Sequence, residues 1–110
     1  MNSKQSEPIV VLITAPNTEE AIRIAEMLVN KKLAACVQIL SGMQSIYVWK
    51  DEVRRDDEVL LLVKTVRGNF NDLEREVRAI HSYETPEVIA LSPSAASEPY
   101  LKWLKDVVTG

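Results

Sequence analysis

Apolar residues fall along this chain in short runs of two kinds. "IVVLITA" (Ile9 to Ala15), "VLLLVKT" (Val59 to Thr65) and "EVIAL" (Glu87 to Leu91) are continuous, β-branched and five to seven residues long, the pattern of buried strands. "LAACVQIL" (Leu33 to Leu40) and "QSIYVWK" (Gln44 to Lys50) read as two more, joined through a turn or bulge at Ser41-Gly42. Alternation puts Ile46 and Val48 on one face of the latter and Tyr47 and Trp49 on the other. Together they predict a hairpin.

Between these runs the spacing changes to that of helices. Ala21, Ile24, Ala25 and Leu28 form one stripe, opened by Asn17 and Glu20 in a capping-box arrangement. Phe70, Leu73, Val77 and Ile80 form a second, with Asn69 or Asn71 as the cap. Ser97-Glu98-Pro99 opens a last helix, which the spacing turns inward through Tyr100, Leu101, Leu104 and Val108. The mixed charges of "KDEVRRDDE" (Lys50 to Glu58) predict a solvated loop or strand tip.

The order is strand, helix, hairpin, strand, helix, strand, helix. That is a ferredoxin-like βαββαβ sandwich, an α/β (α+β) fold with an extended hairpin and a short C-terminal helix. Right-handed crossovers place both main helices on one face of the sheet. "VVLI", "VLLLV" and "VIAL" are apolar at successive positions, so both faces should be dry. A last helix of about ten residues covers only part of the second face, and another copy of the chain is expected there.

The chain has 110 residues, enough for one domain, expected over 9–110 after a frayed tail at 1–8. Net charge is −3, with no basic face for nucleic acid, and no apolar run spans a membrane. The one cysteine, Cys36, forms no internal disulfide, and a cytoplasmic location is the simplest expectation. Three glycines and no phosphate loop or nucleophile motif argue against an enzyme; a Cys36–His81 dyad needs the fold to bring its members together.

Candidate chemistry gathers in "IHSYETPEVIALS". His81 is suited to Cu(II) or Zn(II), with Glu84 or Glu87 adding oxygens and Cys36 offering a thiolate to Cu(I). The structural alternatives are a His81 that ends a helix and a Cys36 that is a small buried hydrophobe. Lys64 closes an apolar strand and needs a carboxylate or a route to water. With Glu87 as its partner, it and Tyr83 would line a pocket between subunits or form an ion pair there. Tyr47 and Trp49 are expected to pack at the subunit interface.

"ITAPN", "KKLAACVQI", "SIYVWKDEV", "LLLVKT", "IHSYETPEVIAL" and "YLKWL" follow one another as in the CutA family of divalent-cation tolerance proteins. The resemblance runs from about Ile9 to Leu104. It implies a non-enzymatic homotrimer, similar in architecture to the PII signalling proteins, with a role in divalent-cation tolerance. No cofactor is required, and weak copper or other divalent-metal binding is implied. Where copper-binding members carry a first-strand cysteine this chain has Ile13, and of two adjacent histidines only His81 is present. The alternative, by analogy with the PII trimers it resembles, is a sensor or scaffold that takes a small ligand or protein partner in its inter-subunit clefts, with metal binding incidental.

Overall fold

The computed structural model describes residues 4–109. Four strands and three helices follow in the order β1 (Pro8–Ala15), α1 (Thr18–Asn30), β2 (Cys36–Trp49), β3 (Glu52–Val66), α2 (Phe70–Ile80), β4 (Val88–Leu91) and α3 (Glu98–Thr109). One antiparallel sheet runs β2-β3-β1-β4. This is the expected ferredoxin-like order.

The register fixes which residues share a face. Ile9, Val11, Ile13 and Ala15 of β1 lie beside Val59, Leu61 and Val63 of β3, and all are buried under α1 and α2. Ala21, Ile24, Ala25 and Leu28 come down from α1, and Leu73 and Val77 from α2. Ile80, expected in the same stripe, is exposed at the helix end.

The hairpin is longer than the sequence suggests and turns elsewhere. Ser41-Gly42 is not a turn between strands but a bulge inside β2: Leu40 pairs with Leu60, yet Met43 already pairs with Glu58. Gly42 takes φ +85 there, a left-handed backbone that a Cβ would strain. The extra residue shifts the side-chain parity by one. Tyr47 and Trp49 therefore share a face with Cys36, Gln38 and Leu40. "KDEVRRDDE" is the strand tip of the two forms expected, not the loop. Trp49 pairs with Glu52, leaving Lys50 and Asp51 as a two-residue turn, both at positive φ as a type I′ turn requires. The charged run is a strand because β2 supplies a partner for each residue, and its exposed side chains stay in water.

Three other expectations are corrected. The chain is already held before Ile9: Gly68 N–H donates to the Gln5 carbonyl and Arg67 N–H to the Glu7 carbonyl, so the frayed tail does not reach Glu7. Met1–Ser3 lie outside the described residues. Asn69 does not cap α2 with its side chain. Its amide donates to the Leu33 carbonyl and to Thr65 Oγ1, and a short 3-10 turn at Arg67–Asn69 leads into the helix. On α3, Leu104 is the buried residue, against Ala35 and Val66, while Tyr100 and Trp103 remain exposed with rings 5.6 Å apart.

Asn17 caps α1 as expected, its Oδ1 accepting from Glu20 N–H at 2.8 Å. Asn17→Ala is expected to cost about 1 kcal/mol, read as a lowered midpoint in thermal unfolding; an unchanged midpoint would mean that water caps the helix equally well.

Away from the main helices the sheet keeps an apolar face. Val10 and Leu12 of β1, Leu60 and Leu62 of β3, Leu40 of β2, and Ile89 and Leu91 of β4 share it by register. Leu40 is 61% exposed, Ile89 48% and Leu91 49%. α3 seats Leu104 only at its Val66 end.

Candidate functional site at the base of the hairpin

Where β1 ends and the hairpin continues alone, the segment from His81 to Glu87 folds across the gap. Its anchor is a buried cluster at the end of α2. The His81 side chain is fully buried, and its backbone N–H closes the last helical turn on the Val77 carbonyl. Nε2 lies 2.7 Å from the Thr14 carbonyl, which can only accept, so Nε2 carries the proton. Nδ1 accepts from Tyr83 N–H at 3.0 Å, so it carries none. Both ring nitrogens are committed, and Nδ1 also lies 3.3 Å from Glu20 Oε2.

Glu20 completes the cluster. Only 4% exposed, it accepts at Oε2 from Ser82 N–H at 2.9 Å and from Ser82 Oγ at 3.0 Å, beside the His81 ring. The capping-box glutamate therefore does not reach back to Asn17; it ties α1 to the loop. Sequence reading passed over this role. Its signal was the position of Glu20 one turn before Ile24, on the buried side of α1.

A cavity of about 690 Å³ opens beside this cluster. Ser45, Tyr47, Trp49 and Arg54 line it from the hairpin, and Tyr83, Glu84 and Glu87 from the loop. Glu58 forms part of its wall, 9% exposed, and accepts from Tyr83 Oη at 2.7 Å. Burial and that carboxylate push the Tyr83 phenol well above its usual range, so it remains a donor. The Tyr47 hydroxyl donates to Asp56, which raises that phenol too.

The structure separates several residues that the sequence had grouped. Tyr83, Glu84 and Glu87 come together with Tyr47 and Trp49. Lys64 does not join them: it pairs with Cys36 and Val10 at the opposite end of the sheet, and its ammonium donates to Gln38. The expected Lys64–Glu87 pair is not formed within the chain. Cys36 lies at that same far end, offset from the Thr14 carbonyl that holds His81 by about 13 Å along the strands, four residue steps of β1, and by two strands across the sheet. A Cys36–His81 dyad is not assembled within the chain, nor is a metal set of His81, Cys36 and Glu84. Among the described residues no group of three or more His, Cys, Asp or Glu is placed to hold a metal ion. Glu58 and Arg54 were missed because they sat in the run read as a solvated loop or strand tip. Glu58 shares strand parity with Leu60 and Leu62, and that was the available signal.

Fold and cleft define a ferredoxin-like α/β protein with a ligand-sized recess at the root of its hairpin. Comparison with known proteins gives the family. The model of the CutA1 divalent ion tolerance protein family matches residues 9–107, and the chain belongs to that family. The divalent-cation tolerance protein CutA of Thermus thermophilus is 48% identical over 97 residues, 88% of this chain and 94% of that protein. The solved structure of the Thermus thermophilus protein superposes with a TM-score of 0.88 at 47% identity, covering 90% of this chain and 96% of that one. The Arabidopsis thaliana protein CutA, chloroplastic, is 44% identical over 105 residues, 96% of this chain; the chain spans 58% of that relative's length.

Proposed function

We propose that this chain serves divalent-cation tolerance as a non-enzymatic homotrimer, a PII-like scaffold or sensor whose working sites are the recesses at the hairpin bases. The observation that carries the reading is the apolar open face. A row of leucines, with Val10 and Ile89, crosses all four strands, and α3 covers only one end of it. A patch of that kind on a soluble chain marks an interaction surface. Other copies of the chain are its simplest cover, since each brings the same face. The count of three rests on the family resemblance. Tyr47 and Trp49, on the same side of the hairpin, would then meet a neighbouring subunit near the recess. One unpaired cysteine supports a reducing compartment, the cytoplasm in the simplest case.

A firm transition-metal site at His81 is the less supported form of this function. Coordination needs a free ring nitrogen, and both are hydrogen-bonded inside the fold. Any divalent ion would meet Glu84 and Glu87 at the surface, and bind weakly.

Light scattering on the full chain, joined to a Cu(II) titration of metal-free protein, tests both parts. The expected mass is three times the 12.4 kDa of one chain. The expected copper isotherm is weak and unaltered by His81→Gln. A monomer would remove the assembly; tight binding lost in the variant would restore His81 as a ligand.

A further inference from the structure

We infer that the recess at the hairpin base binds a small organic ammonium ion, with Glu58 facing its charge and the rings of Tyr47, Trp49 and Tyr83 its apolar body. This names the ligand class for the site proposed above and rests on that reading.

Glu58 supplies the first reason. It is nine-tenths buried in the single chain, and its carboxylate accepts a hydrogen bond from a neutral phenol. Within a single chain, among the described residues, no lysine, arginine or histidine forms an ion pair with it. A carboxylate drawn out of water without a countercharge is costly, and a cation entering the recess relieves that cost.

The walls supply the second. Three of the residues that line the cavity carry aromatic rings, which present negative π-faces to a cation and apolar surface to a carbon chain. Glu84 and Glu87 stand at the mouth, against Arg54 alone on the hairpin. An anionic ligand would meet three carboxylates and one guanidinium.

The chemistry also selects among cations. A bare divalent ion wants about six oxygen ligands, and no such group is assembled here. The volume, about 690 Å³, is that of a small-molecule site and far exceeds one metal ion. A cation with an apolar body fills both requirements.

The test uses Trp103→Phe, which leaves Trp49 as the single tryptophan of the chain. Butylammonium, the neutral butanol and the anionic butyrate are titrated by fluorescence. Calorimetry on the unsubstituted chain repeats each titration, and light scattering gives the mass in the same buffer. Saturable binding of butylammonium is expected, with butanol weaker by about tenfold or more and butyrate silent. Glu58→Gln keeps an acceptor for Tyr83 and removes the charge; it should weaken butylammonium by about the same factor. Tyr83→Phe keeps the charge and should retain the preference for ammonium over butanol. Equal binding of butylammonium and butanol, or a Glu58→Gln protein that binds as the parent does, overturns the inference. The mass decides the assembly separately: a trimer without ammonium binding sinks only the ligand class, and a monomer that binds it sinks only the assembly.

Discussion

Replacing Leu62 with lysine is expected to reduce the particle in solution to a single 12.4 kDa chain while leaving the fold of that chain intact. Leu62 sits near the centre of the open face, with Leu12 on one side and Gln38 on the other. In the isolated chain it is half-buried. A lysine there can lay its stem along the sheet and carry its ammonium to water, so folding should change little. In an assembly closed by these faces, the same ammonium is shut in. Taking one charge out of water costs several kcal/mol after relaxation, on the order of 3 kcal/mol at each copy. Each 1.4 kcal/mol is tenfold in an association constant, so three copies weaken a trimer by about six decades. Light scattering reads the mass, and circular dichroism checks that helices and strands persist. A variant that keeps the assembled mass would show that the subunits meet elsewhere.

This prediction depends on a distinction between neighbouring residues that periodicity supplies. Leu61 and Leu62 look alike in "VLLLVKT", but the register sends Leu61 to the helices and leaves Leu62 on the open face. That both faces of the sheet are apolar was legible because the strands lack polar alternation. The helices were legible from their stripes. The hairpin's length and its turn were not. Its apolar and charged positions carry no burial signal, since both faces of a ribbon beyond the sheet are wet, and a one-residue bulge shifts the alternation midway. Cross-strand partners were equally hidden. Lys64 needed an acceptor, but that this was Gln38 and not Glu87 depends on the β2–β3 register, which no local pattern encodes. Within the recess, Tyr83, Glu84 and Glu87 could be read because they lie close together in sequence. Glu58 was masked by the charged run it ends, although its parity with Leu60 and Leu62 set it on the same strand face.

His81→Ala is expected to lower stability by about 3–5 kcal/mol, the range for cutting a large buried aromatic ring to alanine, to which the two stranded hydrogen-bond partners add. The ring has no exposed surface, so its loss leaves a void. The Thr14 carbonyl loses its donor and Tyr83 N–H its acceptor, each with a desolvation cost of about 1–3 kcal/mol. Glu20 keeps both Ser82 bonds but loses the wall that shields it. His81→Gln, with one amide donor and one carbonyl acceptor, should recover part of the loss. Denaturant unfolding at fixed protein concentration measures both variants, and an unchanged slope shows that the change lies in stability. The consequence reaches the recess, because His81 ties the Tyr83 backbone to the end of β1. With that tie gone, Tyr83 and Glu84 lose their fixed position, and ligand binding should weaken in step with the midpoint. An alanine variant of parental stability would mean that the loop is held by Glu20 and Ser82 alone. His81 would then be unnecessary to the fold, and its retention would need a reason in binding.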